Sequence, residues 1–188
     1  MRNLIHLFIA LVIIISIIGC SSSSKMEKSC EVPEWYNNVP QDPNYLFAPN
    51  TATSKDLQLS VDKATQAART EIGRQQEIKI NGLQKRFNEE TGFMQDAQLL
   101  DMYTQASKTV VSTVLSGSRA KYQEQCKEGE IWRAWILVEY HVGAANQAFL
   151  EQIRKNEQMY TRFRATQTFK ELDDEVQKYE DWKKQQGQ

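Results

Sequence analysis

From Arg119 to Val142 apolar residues recur with a period of two, and this stretch constrains the fold more than any other. Trp132, Ala134, Ile136, Val138, Tyr140 and Val142 fall on one face of an extended chain, while the opposite face is mixed. Upstream, Ala120, Tyr122, Glu124 and Cys126 alternate with Arg119, Lys121, Gln123 and Gln125, as on a half-exposed strand. Lys127-Glu128-Gly129-Glu130 supplies the turn, so the segment predicts a β-hairpin whose apolar face must be covered. A shorter strand-type run, Tyr45-Leu46-Phe47-Ala48, is expected to stop at Pro49-Asn50.

The rest of the body has helical spacing. Thr53 with Asp56 resembles a capping box, so a helix is expected to begin there. Leu57, Val61, Ala64, Ala68 and Ile72 form its stripe, Ile80, Leu83 and Phe87 continue it, and Gly92 ends it. The alanines at 64, 67 and 68 give a low-relief surface that lets the backbone lie close to a sheet or another helix. A second stripe runs from Met94 through Ala97, Leu100, Tyr103, Ala106, Val110 and Val114 to Ser116-Gly117-Ser118. After Ala144 the helical period returns at Ala145, Phe149, Ile153, Tyr160 and Phe163, then at Phe169, Leu172, Val176 and Tyr179. One long helix or two in tandem fit, with Thr166 to Thr168 the weakest point. These pieces predict an α+β fold: a small antiparallel sheet, made of a short first strand plus the hairpin, backed by helices, with a long C-terminal amphipathic helix.

The amino terminus reads as an export signal. Arg2 precedes an almost wholly apolar run from Leu4 to Ile18, broken by His6 and Ser16. At about 15 residues the run is shorter than the roughly 20 of a stable membrane span. Gly19-Cys20 followed by Ser21 to Ser24 resembles a bacterial lipobox, in which the cysteine is acylated and becomes the first residue of the mature chain. Acyl chains contribute about 0.8 kcal/mol per buried CH₂, so two or three of them hold a protein lastingly on a bilayer. The expected divisions are a signal peptide over 1–19, lipidated Cys20 with a flexible tether over 20–32, an α+β domain over 33–142 and a helical segment over 143–188. Ser21 after the cysteine favours the outer membrane. Pro33-Glu34-Trp35-Tyr36 and Pro40-Gln41-Asp42-Pro43-Asn44 form a partly buried lead-in, with Trp35 as a core plug.

The lipobox, the Pro33-x-Trp35 lead-in and the passage YLFAPNTATSKDLQLSVDKATQAARTEIGRQ together resemble the LPP-twenty lipoprotein family, which is similar in layout to the amino-terminal domain of flagellar assembly protein T. The resemblance runs from about Pro33 to His141, and Lys63, Ala64, Ala67, Ala68 and Arg69 carry most of it. Where such proteins commonly show glycine after the strand, this chain has Pro49-Asn50. The resemblance implies a surface- or periplasm-facing lipoprotein, with a fold and a location but no catalytic residue.

Residue stock narrows the chemistry. The chain holds 23 Lys plus Arg against 24 Asp plus Glu, a formal charge of −1, so it lacks the positive field that gathers nucleic acid. With His6 and Cys20 assigned to the signal and its attachment point, only His141, Cys30 and Cys126 are left, too few for a Cys₄ or Cys₂His₂ zinc site or an H-E-x-x-H motif. No cofactor and no metal are expected. In an oxidising compartment Cys30 and Cys126 tend to pair, closing a loop that the chain-entropy model values at about 4.7 kcal/mol; two separate thiols are the alternative. His141 and Cys126 as base and nucleophile would lie near opposite ends of the hairpin. Glu89-Glu90 and Asp173-Asp174 are adjacent on helices, diverge, and read as solvated surface.

Phe169, Leu172, Val176 and Tyr179, with Trp182 flanking, make an apolar seam on an otherwise charged helix. Two fates are open to such a seam: a protein partner or self-association, or folding back onto the chain's own sheet. Direct lipid binding by this helix is disfavoured by its acidic polar face. The leading expectation is an outer-membrane-anchored envelope lipoprotein, held by its N-terminal acyl chains, with a non-catalytic structural or assembly role through protein contacts. The alternatives are a periplasmic small-ligand module with a pocket between sheet and helices lined by Trp132, Tyr140 and Tyr122, and a hydrolytic enzyme using His141.

Overall fold

The expected hairpin forms at the carboxyl side of the sheet in the computed structural model, which describes residues 30–187. The predicted signal, Cys20 and most of the tether lie outside the described residues. Strand β1 (Tyr45–Ser54) pairs antiparallel with β3 (Ile131–His141), and β3 pairs antiparallel with β2 (Arg119–Glu128), giving the order β1-β3-β2. Six α-helices occur among the described residues: α1 (Glu34–Asn37), α2 (Leu57–Thr91), α3 (Ala97–Gly117), α4 (Val142–Lys155), α5 (Glu157–Phe163) and α6 (Gln167–Gln185). The α+β class with a small antiparallel sheet is therefore observed, with helices dominant.

Several boundaries differ from the sequence reading, each for a local reason. β1 does not stop at Pro49 but continues to Ser54, with Pro49 opposite Leu137. β1 is an edge strand, where a missing N–H can point away from the ladder. Thr53 consequently belongs to the strand, and α2 is capped instead by Asp56, whose Oδ1 accepts the Leu59 N–H at 2.7 Å. Gly92 ends α2 as expected, in the left-handed region at φ 66°. Met94 falls in a short 3₁₀ turn (Phe93–Gln95), and Asp96 caps α3. Its stripe is set by Leu99, Tyr103, Ala106, Val110 and Val114, with Ala97 exposed and Leu100 at the margin. The stretch after Val142 is three helices, broken at Thr166 as anticipated and also at Asn156, which caps α5 through the Met159 N–H at 2.9 Å.

The inner face of the sheet packs on α2. Ala64, Ala68 and Ile72 lie fully buried in one core with Ala48, Ala134, Ile136 and Val138, and the small alanines let helix and sheet approach closely. Beyond the sheet, α2 continues into a helical region where Phe87, Phe93, Tyr103, Phe149 and Phe163 form an aromatic cluster with centroid separations from 4.5 to 6.4 Å. The Tyr103 hydroxyl donates to the Ile80 carbonyl at 2.9 Å, and burial raises its pKa above the ordinary phenol range. α4 to α6 contribute to the same continuous core, and α4 follows β3 directly at Val142.

The outer face, read from the sequence as mixed, is also covered. Trp135 and Leu137 are buried, and Glu139 is 4% exposed. A bulge between Ala120 and Tyr122 inserts Lys121, so Ala120 and Tyr122 point to opposite faces, which breaks the alternation expected for β2. Lys121 and Arg119 then reach the Glu139 carboxylate at 2.8 and 2.9 Å. Burial pushes the Glu139 carboxyl up, but these two cations outweigh it and hold the pKa below the usual range. Trp35 lies against Tyr122 with centroids 5.7 Å apart and donates its indole N–H to Glu124 at 2.7 Å; half-buried on the outer face, it covers part of the sheet and is not the core plug expected.

Candidate functional site

A trough opens where α2, α6 and the β3–α4 junction meet. Lys79, Gly82, Leu83 and Arg86 form one wall at spacings of three and four residues on α2. Thr168, Glu171, Glu175, Lys178, Tyr179 and Trp182 form the other wall on α6 by the same periodicity, spanning about 21 Å of helix. Two adjoining hollows of about 380 and 310 Å³ share Lys79, Val142, Asn146 and Glu175.

One end of the trough is aromatic. His141 lies 4.5 Å from Tyr179, 4.7 Å from Trp182 and 4.7 Å from Tyr45, centroid to centroid. Its Nδ1 accepts the Gly143 N–H at 3.0 Å and caps α4, which requires the neutral ring. Burial lowers the His141 pKa, partly opposed by Asp42 and Glu139. Gly143 permits this packing because a Cβ there would stand 2.5 Å from Tyr179 Cγ. The Lys183 ammonium sits 4.8 Å from the Tyr179 ring centroid and donates to Gln147 Oε1 at 3.2 Å.

The middle of the trough is polar. Asn146, 8% exposed, donates its amide to Glu175 Oε2 at 2.7 Å. Lys79 keeps part of its side chain in solvent, yet the surrounding protein desolvates its ammonium and lowers its pKa, partly opposed by Glu175. At the far end Arg86 pairs with Glu171.

The expected site residues fall in three places. Phe169, Leu172 and Val176 are 6, 2 and 4% exposed and belong to the chain's own core. The seam proposed for a partner is therefore folded inward, because the connection at Thr166 turns α6 back across α2 and α4. Of that set Tyr179 lines the first hollow and Leu172 the second, whereas Phe169 and Val176 line neither. Glu90 is not simply solvated surface: its carboxylate accepts from the Gln167 N–H at 2.6 Å, the Thr168 N–H at 2.9 Å and the Thr168 hydroxyl, and so caps the start of α6. Asp173 pairs with Arg154 at 2.6 Å and helps hold α6 in this position.

Cys30 and Cys126 are bonded to each other, with Cα atoms 5.7 Å apart. Within the expected 20–32 tether, Cys30 is thus joined to the hairpin end of β2. Glu128 lies close enough to both sulfurs for a metal cluster, but a disulfide offers no thiolate and Arg133 already holds that carboxylate at 2.6 Å. Cys126 stands opposite Arg133, whereas His141 ends β3, so the two never meet as nucleophile and base. Trp132, Tyr140 and Tyr122 do not converge either. The first two pair with opposite ends of β1, opposite Ser54 and Leu46, and Tyr122 lies on the outer face. The expected pocket between sheet and helices is filled by Ala64, Ala68 and Ile72. No family model, curated protein or solved structure matches the chain.

Proposed function

We propose that this chain is a lipid-anchored bacterial cell-envelope lipoprotein with no catalytic activity, which works through contacts made by its folded body, in the manner of the LPP-twenty family. The observation that carries the reading is the Cys30–Cys126 bridge. Disulfides persist in oxidising compartments, and an export signal ending at Cys20 leads to such a compartment. An acylated Cys20 would tie the body down over ten residues, a reach of at most about 36 Å to the hairpin end of the sheet. The trough lies at the opposite end of β3, about 26 Å from the bridge for the eight residues between Arg133 and His141. Anchor and open site would thus sit at opposite ends of the molecule. His141 spent on a helix cap and Cys126 spent on a bridge support a non-catalytic role.

Feeding cells an alkyne-bearing palmitate tests the anchor. The membrane-bound protein should take up label, and Cys20→Ser should abolish both label and membrane association. An intact Met1 or an unmodified Cys20 thiol in the mass of the native protein would refute the reading. A second reading, a small-ligand module, is favoured by the trough, in a place different from the pocket the sequence suggested.

A further inference from the structure

We infer that the trough between α2 and α6 binds an acidic saccharide. Asn146 and Glu175 are tied to each other through one oxygen of Glu175, leaving Asn146 Oδ1 and Glu175 Oε1 without a donor among the described residues. Asn146 and Glu175 both line the stretch common to the two hollows, and Asn146 is 8% exposed. Lys79 and Lys178 form no ion pair among the described residues and flank the same stretch. Two free acceptors beside two free ammonium groups match a ligand that carries both hydroxyl donors and an anion.

The ends of the trough narrow the class. Tyr179 already meets His141 and the Lys183 ammonium, and half-buried Trp182, its plane within 17° of Tyr179 and its centroid 5.8 Å away, is the ring offered to the C–H face of a sugar. Lys79, Arg86 and Lys178 exceed Glu171 and Glu175 by one positive charge, which suits a carboxylate and disfavours the dense charge of a polyphosphate. Both long walls are sides of helices, whose backbone groups are internally bonded, so an extended peptide would find no main-chain ladder to join. Recognition must come from side chains and ring faces. This inference deepens the small-ligand reading and holds whether or not Cys20 is acylated.

Calorimetric titration of the full-length protein in detergent tests it, using tetragalacturonate as the acidic probe, maltotetraose as its neutral counterpart and tetraglutamate as the peptide control. Tetragalacturonate should bind at millimolar concentration or tighter, and maltotetraose about tenfold more weakly, the loss of one charge-assisted hydrogen bond. Lys79→Gln and Trp182→Ala should each weaken the acidic sugar about tenfold, Lys79→Arg should restore part of the loss, and Lys85→Gln, on the same helix but outside the trough, should change nothing. Circular dichroism confirms that each variant is folded, and Lys79→Gln decides the matter alone if Trp182→Ala is not. No heat with tetragalacturonate, binding indifferent to Lys79→Gln, or tetraglutamate binding equally well would overturn the assignment. Because acylation plays no part in this measurement, a failed titration is distinct from a failed anchor.

Discussion

The two faces of the sheet are both closed, but by different means. The inner face is sealed by apolar packing, with alanines of α2 admitting the helix against Ala134, Ile136 and Val138. The outer face is closed by a short lead-in held by a disulfide and by Trp35 against Tyr122, and by a β3 carboxylate between two β2 cations. Burial of hydrocarbon is indifferent to redox state and nearly so to pH, whereas the outer disulfide depends on redox state and the outer carboxylate on pH. The outer closure is therefore conditional on the compartment in a way the inner closure is not.

The strongest way to break this comparison is to cut each face separately and ask whether redox state matters. Ile72→Ala leaves a cavity in the inner layer and should cost about 2–5 kcal/mol in urea unfolding, by the same amount with or without reductant. A loss below about 1 kcal/mol would mean that the inner layer collapses easily and contributes little. Cys126→Ser opens the outer face and should cost about 2–4 kcal/mol, less than the full chain-entropy value because the lead-in still packs through Trp35. Reductant should lower the parent protein to the level of this variant and leave the variant itself unchanged. A parent protein insensitive to reductant would place the bridge outside the stability of the fold.

The inner face was legible in the sequence because it repeats. Alanines and aliphatics at helical spacing on α2, and period two on β3, require only local geometry to be read. The outer face was legible only in the Cys30–Cys126 pair, since Trp35, expected in the core, lies half-buried on the outer surface of the sheet. Its closure depends on long-range register, since the bulge at Lys121 decides which residues of β2 meet the lead-in, and no local pattern announces a bulge. The extension of β1 past Pro49 had the same cause, because only the strand order reveals that β1 is an edge. The trough was the least legible. In the sequence Tyr179 reads as part of the apolar seam and His141 as a strand-end residue, while Lys79, Asn146, Glu175 and Gly143, taken singly, carry no local signal of a site. Their signal exists in the three-and-four spacing of Lys79, Leu83 and Arg86 and of Glu171, Glu175, Lys178 and Trp182. It becomes meaningful only once α6 is known to fold back beside α2.

A smaller effect sharpens the outer side of the comparison. Glu139→Gln removes the charge shared by Lys121 and Arg119 and should cost about 1.5–3 kcal/mol at neutral pH, the range for a hydrogen bond to a charged group. The folded pKa of Glu139 lies below its ordinary 4.5, so its contribution is complete above that value and disappears as pH falls through the folded pKa. Melting curves between pH 6 and pH 3 should therefore be flatter for Glu139→Gln than for the parent. The slope will not vanish, because Glu90 and Glu128 are also held low by their partners. Equal slopes would remove the carboxylate from the outer closure.

The smallest expected effect lies at the trough end, where the two faces meet. His141 has a folded pKa below its ordinary 6.5, because burial opposes the charged ring more than Asp42 and Glu139 favour it. As pH falls through 6.5 the unfolded chain takes up a proton that the folded chain resists, so stability should decline there and level off once the folded imidazole also protonates. Protonation of Nδ1 would also end its acceptance of the Gly143 N–H and bring positive charge to the N-terminus of α4 and towards the Lys183 ammonium near Tyr179. His141→Asn keeps an oxygen able to cap the helix and removes the titration, so the step between pH 7 and pH 5 should disappear while the carboxylate slope below it persists. Thermal melts of the two proteins across that interval decide the point: a step of the same size in His141→Asn would assign the decline to another group and leave His141 a packing residue only.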